Sequence, residues 1–259
     1  MHERGAAAAR GLTLRVCALY PDLMNIYADR GNLLVLERRC RWRGIGFELA
    51  ASGLGEPLDS ERHDLFYIGG GQDRDQWLCA EDLLERKREA LHAAAARDAV
   101  VLGVCGGYQL LGRSYTLGNA TIEGVGLLDV TTVREDARRL IGNAAIETRL
   151  HDADAGADQH GRVLAGFENH GGRTSLGPGQ APLGRVLHGN GNDGRSGLEG
   201  ARRGNTIGTY LHGPLLPKNV WFADWLIAVA LRIGLDELAP LDDALEDEAH
   251  RGARAAAGV

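Results

Sequence analysis

With 259 residues, 44% of them apolar and 25% charged, the chain has the composition of an ordinary globular protein large enough for one well-buried core. A formal net charge of −6 gives no electrostatic footprint for nucleic acid. Lys87 and Lys218 are the only lysines, no G-x-x-x-x-G-K-[ST] segment occurs, and Cys17, Cys40, Cys79 and Cys105 form no C-x-x-C pair, so neither a phosphate-cradling loop of that type, a zinc site nor a disulfide framework is indicated.

Residues 1–11 read as a disordered lead-in without the long apolar core of a signal peptide, and no run reaches transmembrane length. A reducing cytoplasm is the expected setting. Leu12–Leu19 reads as a first strand and Tyr20–Asn32 as a polar-aromatic loop. Leu33–Arg43 has helical spacing and stops at Gly44, and its Arg38, Arg39, Arg41 and Arg43 are expected to form a solvated face. Phe47–Ala51 and Asp64–Ile68 follow as strands, and their alternation with helices predicts a parallel sheet. Gly69-Gly-Gly-Gln-Asp-Arg-Asp-Gln then lies at a strand's carboxyl end, where open α/β sheets place their crevices and where Gly70 or Gly71 could point an N–H at an anion. Gln76–Ala96 reads as one long helix with Leu83, Leu84 and Leu91 inward and His92 exposed or capping.

The stretch Val100–Leu111 organises the rest. A buried strand stops at Cys105 and a helical pattern starts directly after it, so Gly103-Val-Cys-Gly-Gly has the form of a nucleophile elbow. Glycines without Cβ atoms admit a substrate carbonyl, and the following helix start favours thiolate and can hold an oxyanion, with Gly106 as a donor. The alternative is an inert, buried cysteine in a tight turn.

Thr121–Val133 reads as a turn and a strand, and Arg138–Arg149 as a return strand of a β-rich half. His151–Gly161 is a polar loop whose histidines and aspartates are expected to face solvent rather than hold a metal. Gly166-Phe-Glu-Asn-His-Gly-Gly-Arg-Thr is denser in chemistry than a turn requires, and Gly177–Gly204 reads as turns between short strands. In Asn205–Leu216 a short strand is expected to end at His212, before Gly213-Pro214; such a histidine can reach a cysteine at another strand end, take its proton and return it to leaving ammonia. His170 is the rival base. Asn219–Leu235 is a buried helix with Trp221, Phe222 and Trp225 in the core, and Asp242–Val259 is expected to be a frayed tail.

Gly103-Val-Cys-Gly-Gly-Tyr-Gln-Leu-Leu-Gly with Tyr210-Leu-His-Gly-Pro resembles the class I glutamine amidotransferase domain in its cobyric-acid-synthase-like branch. Leu19-Tyr-Pro-Asp-Leu-Met-Asn-Ile-Tyr-Ala-Asp-Arg-Gly-Asn, Gly69-Gly-Gly-Gln-Asp-Arg-Asp-Gln and Phe167-Glu-Asn-His-Gly-Gly-Arg-Thr are similar, within that branch, to the glutaminase subunits of lipid II isoglutaminyl synthases. The resemblance implies a flavodoxin-like α/β fold, a mixed, mainly parallel sheet flanked by helices, over residues 12–240, with an acidic, Ala-rich tail at 241–259.

It implies that Cys105 attacks the side-chain amide of L-glutamine, that backbone Gly71 and Gly106 hold the oxyanion, and that His212 shuttles the proton. It further implies that Gln109, Arg139, Asn169, His170 and Gly171 bind substrate, Arg139 through the carboxylate and with Arg138 as its neighbouring ambiguity. No cofactor or metal is implied on this chain. ATP and Mg belong on a Mur-ligase-like partner subunit, which takes the ammonia and amidates the D-glutamate of lipid II, giving this chain at most peripheral access to the inner membrane face. Other expected possibilities are a different carboxylate acceptor, such as a corrinoid, or a glutamine-binding module without turnover. Pro214 stands where many class I relatives carry the glutamate that orients the histidine. Either His212 then works in a dyad, or a third acid is expected from the partner or locally from Glu168 or Asp129.

Overall fold

Leu65–Ile68 (β3) and Val100–Val104 (β4) are buried along their whole length, as strands covered on both faces must be. They form the centre of a six-stranded sheet with Thr13–Leu19 (β1), Gly46–Ser52 (β2), Ala201–Arg203 (β13) and Thr206–Thr209 (β14), in the order β13-β14-β4-β3-β1-β2. All pairings are parallel except that of β13 with β14. The structure is a computed structural model that describes residues 11–26, 30–117, 119–150 and 162–259. All but the last residue of the lead-in, and the whole 151–161 loop with its metal question, therefore lie outside the described residues.

Helices Arg30–Trp42 (α1), Asp73–Asp82 (α2) and Arg88–Ala96 (α3) make the crossovers, and Gly106–Leu111 (α4) follows β4. The stretch expected to be one helix over 76–96 starts at Asp73 and is broken by a π turn, Leu83–Lys87. Five residues apart is about 140° around an α-helix, whereas a π turn stacks residues i and i+5. Asp82 and Lys87 are thereby brought into contact, and the fully buried Lys87 ammonium also donates to Gly53 O at 2.9 Å.

Two expectations are corrected. Arg39 and Arg43 are not on a solvated face: they lie three and seven residues beyond the buried Leu36, on the stripe that packs against Val220–Leu231 (α5). Their guanidiniums fork onto Asp224 of that helix, and Arg39 also reaches Asp243 at 2.7 and 2.8 Å. The terminal stretch is not frayed either: Ala244–Ala256 forms a helix (α6). Its Ala, Glu and Arg residues are strong helix formers, and it is tied down by the Arg39 fork, by His250 Nδ1 to Lys218 O at 2.7 Å and by Asn143 Nδ2 to Ala256 O at 2.9 Å.

The β-rich half is two further four-stranded sheets. Ser114–Leu117 (β5), Ala120–Glu123 (β6), Val130–Arg134 (β7) and Gly172–Leu176 (β10) form one; Leu140–Thr148 (β8), Arg162–His170 (β9), Gly184–His188 (β11) and Leu198–Glu199 (β12) form the other. Phe167 of β9 exchanges backbone hydrogen bonds with His212 (2.9 and 3.0 Å), which joins this half to the carboxyl edge of the main sheet.

Candidate active site

Cys105 sits one residue beyond β4, and Val104 pairs with Thr209 at the end of β14. Cys105 N donates to Thr209 O at 2.8 Å, so the cysteine and the segment leading to His212 leave adjacent parallel strands at the same edge. Cys105 has φ 53° and ψ −106°, a strained conformation for a residue with a Cβ, and it immediately precedes α4. Gly107 is required for that turn: a Cβ there would lie 2.2 Å from Ile68 O.

The backbones of Gly71 and Gly106 lie against each other at the start of α4. A Cβ built on Gly106 would lie 3.0 Å from Gly71 N and 2.6 Å from Gln76 Nε2, which places Gly71, at the end of the Gly69–Gly71 loop, against the start of α4. Gly107 N donates to Gly69 O at 3.0 Å and holds the two together. Gln109, one turn along α4, accepts from Gln76 Nε2 at 2.7 Å and donates to Tyr210 Oη at 3.1 Å. Tyr210 Oη in turn bonds Thr174 Oγ1 at 2.6 Å, and Thr174 bonds Thr132 at 2.7 Å. This buried relay spans both halves of the molecule. Gln76, Tyr210 and Thr174 were not singled out from the sequence; Gln76 had only its place in the Gly69–Gln76 motif as a signal.

His212 is fully buried. Burial, followed by the nearby Lys218 and Arg139 cations, pushes it down to about 4, so it is a neutral imidazole at pH 7 and able to accept a proton. His170 is close enough to feel the charge of His212, and burial pushes it down to about 3. Its Nδ1 meets Gly172 O at 2.8 Å and its ring stacks on Tyr210, centroids 3.6 Å apart. The structure thus gives the rival base a packed place within the site wall.

Arg139 donates from Nε to Asn169 Oδ1 at 2.9 Å and from Nη2 to Asn169 O at 2.8 Å. A Cβ on Gly171 would lie 3.6 Å from Arg139 Nη1, so Arg139, Asn169 and Gly171 form one rim, exposed at Arg139 and half-buried at Asn169 and Gly171. Arg138 is different: its carbonyl receives Arg173 Nη2 at 2.7 Å. The two local acids expected as possible orienters are both bonded to other groups. Glu168 is buried and accepts from Asn190 N at 2.7 Å and Gly191 N at 2.9 Å, while Asp129 pairs with Arg113 at 2.5 Å. A buried acid missed in the Gly-rich stretch, Glu199, accepts from Tyr210 N at 2.7 Å and Thr209 Oγ1 at 3.0 Å. Burial pushes it up to about 8 against those hydrogen bonds.

A profile of the CobB/CobQ-like glutamine amidotransferase domain matches residues 15–220. The chain belongs to that family. It is a glutamine-hydrolysing amidotransferase. Among its relatives, a Streptococcus pneumoniae protein named lipid II isoglutaminyl synthase (glutamine-hydrolyzing) subunit GatD is 36% identical over 91% of this chain and 88% of its own. The Staphylococcus aureus protein of the same name is 39% identical, covering 81% of each chain. A cobyric acid synthase of Pelotomaculum thermopropionicum is 33% identical over 82% of this chain, but only 39% of that longer protein is covered. In fold the chain is similar to a chain of the PurLQS structure from Thermotoga maritima, with a TM-score of 0.57 at 20% identity, covering 92% of this chain and 98% of that one.

No group of three or more potential metal ligands occurs among the described residues. No helix among them is long and apolar enough to cross a membrane.

Proposed function

We propose that this chain is the glutaminase subunit of a lipid II isoglutaminyl synthase. The observation that carries the acceptor is the likeness to the two GatD subunits across nearly the whole chain. What supports the chemistry is the strained elbow at Cys105, with the backbones of Gly71 and Gly106 packed together at the start of α4.

His212, neutral at pH 7, takes the Cys105 proton as the sulfur attacks the side-chain carbonyl carbon of glutamine. The carbonyl oxygen becomes an oxyanion held by Gly71 and Gly106 N–H groups. As the tetrahedral intermediate collapses, the C–N bond breaks and the imidazolium returns its proton to the leaving nitrogen, releasing ammonia and a thioester. His212 then deprotonates water for attack on the thioester, and glutamate leaves as the thiol is restored. Arg139, held by Asn169, offers its remaining N–H groups to the α-carboxylate of glutamine, with Gly171 forming the adjacent rim. Gln109 and His170 line the wall behind.

Ammonia passes to a Mur-ligase-like partner, where ATP and Mg activate the D-glutamate α-carboxylate of the lipid II stem peptide for conversion to D-isoglutamine. The work is cytoplasmic, and the membrane is approached only through the lipid-linked acceptor. The partner also supplies the acid that orients His212, since Pro214 occupies the usual position and Glu168 and Asp129 are committed elsewhere. The charges that depress His212, Lys218 and Arg139, are both cations, and an incoming carboxylate would be electrostatically welcome between them. The test is amidation of lipid II from glutamine by this chain with a Mur-ligase-like subunit: incorporation of glutamine-derived nitrogen at the D-glutamate supports the reading, and transfer only to a corrinoid carboxylate overturns the acceptor.

A further inference from the structure

A buried ion pair on the π turn takes no part in the hydrolytic chemistry, yet it is linked to the oxyanion loop. Tyr20, the first residue beyond β1, is buried and adopts φ 52°, a left-handed conformation that is costly for a bulky side chain and persists only when its surroundings hold it. Its hydroxyl donates to Asp82 Oδ2 at 2.8 Å, and the Lys87 ammonium, which donates to the same oxygen, lies 4.8 Å above the Tyr20 ring centre. Asp82 Oδ1 accepts from Gly55 N at 2.8 Å, and Lys87 Nζ donates to Gly53 O. Burial favours the neutral acid, but the Lys87, Gly55 and Tyr20 donors outweigh it and hold Asp82 below the usual carboxylate range. Apolar side chains of equal volume would fill this space with comparable net stability; what an ion pair adds is direction.

The direction matters because of what Tyr20 leads into. Leu23 N and Met24 N both donate to Tyr20 O, at 3.0 and 2.8 Å, and Ile26 N donates to Gly70 O at 3.2 Å. Met24 is buried, and a Cβ on Gly71 would lie 2.3 Å from its sulfur and 3.5 Å from Leu23 O. Segment 20–26 therefore packs against the backbone of Gly70 and Gly71, which Gly106 also approaches.

We propose that Tyr20, Asp82 and Lys87 are positioning residues for glutamine hydrolysis: the π turn brings Asp82 and Lys87 together, the pair fixes Tyr20, and Tyr20 sets segment 20–26 as a clamp that aims the Gly71 N–H at the oxyanion. This rests on the oxyanion role assigned to Gly71 above. The clamp acts on the transition state and leaves the thiol and the ground-state glutamine contacts alone.

The experiment compares the full chain with Tyr20→Phe, with the charge-neutral pair Asp82→Leu/Lys87→Met and with Cys105→Ala, in kcat and KM for ammonia release. Cys105 alkylation by iodoacetamide, which forms no oxyanion, and thermal melting are measured alongside. The expected result is a fall in kcat of about tenfold for Tyr20→Phe and about a hundredfold for the double variant, the scale of a displaced catalytic donor. KM and the alkylation rate stay at their wild-type values. Tyr20→Phe removes one hydroxyl, so it decides the matter even where the double variant does not fold. Wild-type kcat in a folded variant overturns the clamp, as does a loss of kcat matched by an equal loss of alkylation. Absence of Cys105-dependent hydrolysis in the wild type would instead overturn the reading of the site itself.

Discussion

The two sides of the site are built by different means. On the nucleophile side the work is done by backbone: Cys105 at its strained turn, Gly106 opening α4, and Gly71 clamped by segment 20–26. The histidine side is built from side chains of the β-rich half: the buried His170 stacked on Tyr210, the buried Glu168 on the 190–191 turn, and the exposed Arg139 forked on Asn169, near a desolvated His212. On the proposed reading, the first side needs nothing from a partner. The second places two cations near His212 and has Pro214 where the resemblance expects an acid, so it is the side on which we propose that a partner acts.

Substitutions on the two sides should therefore differ in how they respond to the partner. His212→Ala is expected to lower kcat by about 10⁴-fold, alone and in the complex, because a general base is lost outright; ammonia release checks this. Gly71→Ala is expected to cost about a hundredfold, since its Cβ would lie 2.3 Å from Met24 Sδ and displace the donor. The partner should not rescue it, and rescue would blur the distinction between the two sides.

The pH profile sharpens the comparison further. Catalysis needs neutral His212, so in the isolated chain activity should persist as pH falls below 6.5 and be lost only on approaching about 4. An added carboxylate favours the imidazolium, so the acid limb should move to higher pH in the complex. Stability follows the same groups. His170 and His212 have folded values near 3 and 4 against an ordinary 6.5, so the unfolded chain binds more protons between those limits. Their contribution to stability is complete above pH 6.5 and declines as pH falls, by at most about 1.4 kcal/mol per pH unit for each. Denaturant melts from pH 7 to 4 should show this slope, and His170→Gln should reduce it.

The smallest effect on catalysis is expected far from both sides. Arg39→Met leaves Asp224 and Asp243 without their shared cation and should destabilise the fold by about 3 kcal/mol. Hydrolysis at 25 °C should be unchanged.

The elbow, the glycine loop and the parallel character of the sheet, though not its strand order, were legible because they rest on local patterns: apolar runs of strand length, glycines where a Cβ cannot fit, and helical spacing directly after Cys105. The fates of Arg39 and Arg43 were not, because the charges that make their burial tolerable lie on Asp224 and Asp243, nearly two hundred positions away in the chain. Composition misjudged the C-terminal helix for a related reason: Ala and Glu suit a solvated tail as well as a helix until a surface is there to receive them. Lys87 carried a faint signal as one of only two lysines, but a one-residue widening of a helix leaves no periodicity to read. Glu168 shows the limit of motif reading: its neighbours Phe167 and Asn169 contact His212 and Arg139, while its own oxygens serve the 190–191 turn.

The most direct measurement is ammonia release from glutamine by the purified chain, alone and with a Mur-ligase-like subunit, for the wild type and Cys105→Ala. The expected result is hydrolysis that requires Cys105 and rises by orders of magnitude on assembly. Equal rates with and without the partner would contradict the split site, and hydrolysis that survives Cys105→Ala would contradict the chemistry assigned to it.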